Sequence, residues 1–520
     1  MDEKRRNVIP KDSPEAPQPA EPQPPHPSAV QNALQRVNKL KNAAGTEGHK
    51  SLRIGLAGAF LVGVFIATAF VSTAGQGVVL IMVAGTIGGY MALNIGANDV
   101  ANSMGPPVGS KAITMAGALV IAAVGNTAGA VLAGGDVVST IAKGIIDPAP
   151  LSDVGIFITA MLAALLAAAL WLNLATYVGA PVSTTHAIVG GVMGAGMAAI
   201  GIGSVNWGTM GAIAASWVIS PVMGGLIAAA FLYFIRRAVI YQPDRIAAAK
   251  RWVPVLIGVM GAAFAMYLMI KGFKKVWKVD LHWVLIGGAA VFVAVWQGVR
   301  PLVARQAEGL ENRKKAINAL FAIPLICAAG LLTFAHGAND VANAVGPLAA
   351  IVGALTSGAV AAKVTVPIWV LVVGGLGISI GLALFGPRLV RTVGEKITKL
   401  NPIRAFCVAL SAAITVLIAS ALGLPVSSTH IAVGGVFGVG FLREILHARF
   451  RDDMERAAVA SGKKPAAIKG EKKKKKKKLK LVRRKHLTTI VAAWLVTVPL
   501  AAVLSAVLFF ILHWGRMTFL

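Results

Sequence analysis

The chain has 520 residues, 56% hydrophobic and 14% charged, with a mean hydropathy of +0.72. A soluble protein carries closer to a quarter charged residues, so folding alone cannot hide this much apolar surface and lipid must be part of the solvent. The net charge of +29 does not point to nucleic acid, and none is expected as a partner: the basic residues concentrate in loops and one tail-like run between apolar stretches, the pattern of cytoplasmic loops in a membrane protein.

Residues 1–50 are a different material. Eight prolines lie between Pro10 and Pro27 among Glu, Gln and Ala, a composition that predicts a disordered, cytoplasmic segment. The segment carries no early apolar core preceded by basic residues, so no cleaved signal peptide is expected within it and targeting is expected from the first span. A spanning helix needs about 20 mostly apolar residues. The sequence predicts spans at 54–72, 77–95, 112–133, 154–176, 208–235, 254–270, 281–298, 317–334, 346–355, 366–384, 406–422 and 487–513. Two further stretches, 181–203 and 425–442, are rich in Gly and open on Pro and hydroxyl residues, as helices interrupted inside a membrane would. Cys327 and Cys407 lie in apolar runs and form neither a metal pattern nor a disulfide framework.

An internal repeat organises these spans. Gly96-Ala97-Asn98-Asp99-Val100-Ala101-Asn102 returns as Gly337-Ala338-Asn339-Asp340-Val341-Ala342-Asn343, and each copy is followed by Gly and Pro. Pro181-Val182-Ser183-Thr184-Thr185-His186 returns as Pro425-Val426-Ser427-Ser428-Thr429-His430, and each half closes on a span with Trp before Pro: Trp217 and Pro221, then Trp494 and Pro499. Three blocks in the same order mean duplication.

Basic residues set the orientation. The outer flanks of the two central spans carry Arg236, Arg237, Arg245, Lys250, Arg251, Arg300, Arg305, Arg313, Lys314 and Lys315, so half one ends inside and half two begins inside. Residues 443–486 hold eighteen Lys or Arg against five acidic residues, including the run Lys472–Lys478, and are also assigned to the cytoplasm. The last span then runs outward while its counterpart runs inward, and the repeat is inverted. The expected fold is an all-α polytopic membrane protein with two inverted-topology repeats, interrupted helices and about 12 membrane segments, in the plasma (inner) membrane, N-terminus cytoplasmic and C-terminus outside. The expected domains are the tail 1–50, an extra span 54–73, repeat one 77–236, a two-span linker 237–316, and repeat two 317–514, which includes the basic loop 443–486. The side of the loop 387–404 stays open. The lysine run is expected to fix topology, with binding to anionic headgroups as the alternative.

An ionised carboxylate at the bilayer centre costs at least about 2.5 kcal/mol and marks a functional site. Asp99 and Asp340 occupy equivalent places, where Gly and Pro predict a helix break; with Asn98, Asn102, Asn339 and Asn343 they offer oxygen ligands to a small cation or a proton. The Pro-Val-Ser segments suit an anion: proline opens a helix, and Ser183, Thr184 and Thr185, with Ser427, Ser428 and Thr429, add neutral donors to its unpaired N–H groups. His186 and His430 either relay protons or brace this turn. A serine hydrolase built on Ser183 and His186 lacks an acidic partner and a nucleophile elbow. His336 has no counterpart in half one and receives no role. Two carboxylates and a dianion repel by about 4 kcal/mol per pair of unit charges at 4 Å and an effective dielectric of 20, so cations have to arrive with the anion, which predicts symport.

With these motifs the chain resembles the inorganic phosphate transporter family over roughly residues 77–236 and 317–514. The resemblance implies import of inorganic phosphate with sodium ions or protons and no other cofactor. It assigns the cation sites to Asp99, Asn102, Asp340 and Asn343, with sodium on Asp99 and Asp340 if the coupling ion is sodium, and the phosphate cradle to Ser183, Thr184, Thr185, Ser427, Ser428 and Thr429, joined by Asn98 and Asn339. It also admits a sulfate permease of the same build, a metal-phosphate complex as cargo, and a homodimer. A membrane receptor or scaffold without flux is the alternative of another class.

Overall fold

The computed structural model of the chain describes residues 51–71, 77–147, 153–178, 182–272, 279–359, 366–392, 400–460 and 484–519. The proline-rich segment and the run Lys472–Lys478 lie outside them. Among the described residues the secondary structure is helical apart from one bridge between Ile146 and Val205, and twelve helices are long and apolar enough to cross a membrane. Helix α1 (Ser51–Val71) lays Phe60, Leu61, Val64 and Thr68 against Gly85 and Gly89 of α2. The repeats follow. Half one holds α2 (Val78–Asn98), α3 (Val100–Gly109), α4 (Met115–Ala133), the short α5 (Gly135–Ser139), α6 (Val154–Val178), α7 (Thr184–Ile200) and α8 (Trp207–Ile235). The linker supplies α9 (Arg245–Lys271), α10 (Leu281–Gln306) and the short α11 (Lys314–Leu320), and half two holds α12 (Ala322–Ser357), α13 (Ile368–Thr392), α14 (Pro402–Ala421), α15 (Ser428–Ala460) and α16 (Arg484–Phe519).

The halves interleave rather than abut. Helix α2 packs on α13 and α12 packs on α4; α7 packs on α16 and α15 packs on α8, each contact in one half matched by its counterpart in the other. The inversion is visible where the equivalent helices α4 and α13 meet. The Ser379 hydroxyl donates to the Ala123 carbonyl at 2.9 Å and the Thr127 hydroxyl to that of Gly375 at 3.3 Å, so residue numbers rise along one helix as they fall along the other.

The expected break at the signature holds in half one only. There α2 ends at Asn98, α3 begins at Val100, and Asp99 sits between them as a one-residue turn with helical backbone angles. In half two α12 runs unbroken through Asp340 and Pro347 to Ser357, so the spans predicted at 317–334 and 346–355 are one helix. The signature glycines serve close approach instead. A Cβ at Gly96 would collide with the Ile378 carbonyl, and one at Gly337 with that of Asn126. The second interruption is the stronger. Helix α7 spans only 17 residues and begins inside the protein, where Thr184, Thr185 and His186 are all buried. In half two α14 stops at a left-handed Gly423 (φ 69°), a conformation glycine adopts without strain, and α15 starts at the equally buried Ser428.

Of the loop 387–404, residues 393–399 lie outside the described residues, and its far end starts α14. Asn401 caps α14 by accepting from the Arg404 N–H, and its amide donates to Asn318 at 2.7 Å. Asn312 accepts from the Arg245 N–H at 3.0 Å. The start of α14, α11 and the start of α9 therefore share one face.

Replacing Gly96 or Gly337 by Ala forces helices apart and is expected to destabilise by about 1–3 kcal/mol, read as a lower melting temperature of the purified protein in detergent. Gly211→Ala, where nothing lies within 4 Å of the added methyl, leaves the melting temperature unchanged or raises it slightly.

Candidate functional site

The two signatures and the two Pro-Val-Ser segments converge. One ligand atom each from Asp99, His336 and Asp340 lies within 4.8 Å of the others, and all three side chains are almost wholly buried. The starts of α7 and α15 close around them. Each helix begins with a serine cap in β-like or loop geometry: the Ser183 hydroxyl oxygen accepts from the His186 N–H at 3.1 Å and that of Ser427 from the His430 N–H at 3.4 Å. Capping satisfies one orphan donor and leaves the following hydroxyls free to turn inward.

Those hydroxyls bind the signatures in a reciprocal pattern. Thr184 donates to Asp99 Oδ2 at 2.7 Å, and its equivalent Ser428 donates to Asp340 Oδ2 at 2.9 Å. The asparagine three residues after each aspartate crosses to the other half: Asn102 donates to Thr429 at 2.7 Å and Asn343 to Thr185 at 3.1 Å. The asparagine just before each aspartate points back: Asn98 donates to Thr176 of α6 at 3.1 Å and Asn339 to Ser420 of α14 at 3.0 Å. Asn339 also accepts from the Val426 N–H at 3.2 Å and donates to the Leu424 carbonyl at 3.1 Å, so it clamps the segment that leads into α15.

The symmetry is broken at two points. Thr429 donates to Asp99 Oδ1 at 3.3 Å, whereas its equivalent Thr185 donates to the Val426 carbonyl at 3.0 Å. Both oxygens of Asp99 thus accept hydroxyls, while Asp340 Oδ1 and Asn343 Oδ1 are buried acceptors with no hydrogen-bond partner. The second break is His336, which stands where half one has Ile95. Its Nε2 lies 2.8 Å from Asp340 Oδ2, one helical turn on, and its Nδ1 lies 2.6 Å from Asn126 Oδ1 of α4. Matching one half against the other passes over His336 because it has no twin; its i,i+4 spacing to Asp340 was the usable signal.

His186 and His430 pack behind the hydroxyl turns. Their ring centroids are 4.6 Å apart, His186 lies 3.8 Å from the Trp217 ring, and Trp217 Nε1 donates to the Pro425 carbonyl at 3.1 Å. A residue of half one thereby holds the second Pro-Val-Ser segment. The side chain of its counterpart Trp494 lies outside the described residues. Ser183 serves as a cap to the backbone N–H of His186.

Inverted helical repeats meeting at buried polar groups, with helix N-termini aimed at the meeting point, are the build of secondary transporters. The sequence pattern of the Phosphate transporter family matches residues 95–505, and the chain belongs to that family, one of transporters rather than enzymes. A solved structure, named the sodium-dependent phosphate transporter, superposes with a TM-score of 0.74 at 36% identity, over 83% of this chain and 98% of that one. Among curated relatives, a Helicobacter pylori (strain J99) protein with the provisional name phosphate permease is 45% identical over 92% of this chain and 98% of its own. The chloroplastic inorganic phosphate transporter 2-1 of Arabidopsis thaliana is 38% identical over 81% of this chain and 70% of its own.

His336→Leu removes a partner from Asp340 and leaves Asn126 Oδ1 without its contact. The expected cost is about 1–3 kcal/mol for the buried groups left unsatisfied, measured as a lower melting temperature, with His336→Gln recovering part of it.

Proposed function

We propose that the chain imports inorganic phosphate by symport with sodium ions, in a membrane whose cytoplasmic side is the face carrying Arg236, Arg245, Lys314, Arg404 and Arg443. The observation that carries this reading is the state of the hydroxyl donors. A hydroxyl has one hydrogen to give, and those of Thr184, Ser428 and Thr429 are given to Asp99 and Asp340. With that arrangement an arriving phosphate would meet carboxylates and hydroxyl lone pairs.

Cations on the carboxylates change both terms. They neutralise charge that would otherwise repel a dianion, and they release the hydroxyls to turn toward it. Asp340 Oδ1 and Asn343 Oδ1, buried and unpartnered, are the acceptors best placed for the first ion, with Asp99 and Asn102 serving the second. Ser183, Thr184 and Thr185 with Ser427, Ser428 and Thr429 then cradle phosphate at two helix N-termini. Asn98 and Asn339 hold the entering segments, and His186 and His430 brace the turn. Oxygen acceptors suit sodium, a hard cation, and the sodium dependence by which the similar solved transporter is named supports that choice over protons.

Proteoliposomes test it. An inward sodium gradient is expected to drive labelled phosphate uptake, a pH gradient alone is not, and excess sulfate competes weakly. Asp99→Asn and Asp340→Asn each lower sodium-driven uptake about tenfold or more, the consequence of losing at least about 1.4 kcal/mol of ion binding, with the protein still present in the membrane. Uptake that follows the pH gradient and ignores sodium would transfer the site to protons. Sodium-driven uptake that survives in both variants would remove the carboxylates from the mechanism.

A further inference from the structure

The shared face described above concentrates positive charge; its acidic groups include Glu311, 2.7 Å from Arg313, and Asp244, which caps α9. Arg236 ends α8, Arg404 lies in the first turn of α14, Arg443 lies on α15 and Lys314 opens α11. Helix α15 packs on α8, with Gly438 against the Gly225 backbone, and on α14, with Gly435 against Val408, and Asn401 ties the start of α14 to Asn318 of α11, so the four cations stand at one end of these packed elements. Among the described residues none of the four forms an ion pair. Arg404 Nε is held by Asn401 Oδ1 at 2.6 Å, and Arg236 lies over the Tyr241 ring at 5.7 Å with Nη1 buried and without a hydrogen-bond partner. Lys314, outside the spans, is held below the ordinary lysine value first by burial and then by Arg236, Arg404, Arg443 and Arg245.

Like charges gathered in a half-buried place raise the energy of the fold unless an anion joins them. The depth says which chemistry is available there. Arg443 follows Ser428 by fifteen residues of continuous helix, about 22 Å at 1.5 Å per residue, against about 15 Å from the midplane to the edge of the hydrocarbon core. Tyr241 beside Arg236, and Trp252 under Arg251 at 5.5 Å, are the aromatic residues that mark the same level. Guanidinium groups there match phosphate oxygens by geometry as well as charge.

We propose that Arg236, Arg404 and Arg443, with Lys314 at the rim, form a second anion site that binds a phosphate group on the face of the protein where α8 ends and α9, α11 and α14 begin. The group is either the headgroup of an anionic phospholipid or free phosphate. Basic pockets between spans at this level are the usual form of anionic-lipid sites.

The test uses the full chain purified in maltoside. Probes are phosphatidylglycerol, phosphatidylcholine as the zwitterionic control, and inorganic phosphate; the variant is Arg404→Gln with Arg443→Gln. Phosphatidylglycerol is expected to raise the melting temperature of the parent protein, and the double variant to need about tenfold more of it, as the loss of one charge-assisted contact implies. Arg300→Gln with Arg305→Gln, on the linker, leaves the response intact. Without lipid the double variant is expected to melt at or above the parent temperature, because two unpaired like charges have gone; a purely structural role predicts the opposite. If the lipid response persists but one of two saturable phosphate-binding events disappears, the site takes free phosphate. Unchanged responses to both probes, or destabilisation without lipid, overturn the proposal. Should the double variant fail to fold, Arg443→Gln alone, on a half-exposed side chain, is read by the same criteria.

Discussion

Two carboxylates buried at one spot, deep among apolar helices, constrain everything around them. An aspartate in that setting has to be matched by donors, and membrane spans supply few. Helix N-termini and short hydroxyl side chains are the available source that adds no permanent charge. This is why α7 and α15 start inside the protein, where Ser183 and Ser427 cap them and Thr184, Ser428 and Thr429 reach Asp99 and Asp340. It is also why the chain entering α15 is pinned on both sides, by Asn339 and by Trp217 through the Pro425 carbonyl. The glycines at helix crossings let backbones approach closely enough for these short side chains to meet.

Duplication explains the reciprocity and its limits. Each aspartate accepts a hydroxyl from its own half, each asparagine three residues later donates to a hydroxyl of the other half, and each preceding asparagine anchors to the span before the hydroxyl turn. A site assembled this way cannot form within one repeat. The departures fall on the aspartates themselves. Asp99 accepts two hydroxyls, one from each half, whereas Asp340 accepts one and faces His336 instead. The two carboxylates therefore have unlike surroundings despite like sequences.

Much of this was legible in the sequence. The doubled signatures, their order, the inversion read from basic flanks and the polar centre all survive in the structure. What escaped has physical causes. Gly and Pro around Asp340 suggested a broken helix, but a glycine in a span serves a crossing as readily as a break, and only the backbone of α4 lying beside Gly337 distinguishes the two. His336 lacked a twin, so a comparison that prizes duplicates passed over it. Which hydroxyl meets which aspartate depends on how the halves interleave, and Arg404 joined Arg236 and Arg443 only through packing among α8, α11, α14 and α15.

The distribution of charge separates the two proposed anion sites. No Lys or Arg lies in the four central motifs, where an anion would be held by neutral donors and helix ends whose effect is modest and local. A permanent cation there would bind phosphate without help from the carboxylates' ions and would slow its departure. Basic side chains instead lie at a distance, Arg443 about 22 Å along α15 from Ser428 by helical rise. A carrier has to release what it binds, and under the proposed symport neutral central donors suffice because cations on the neighbouring carboxylates would set the strength of the site.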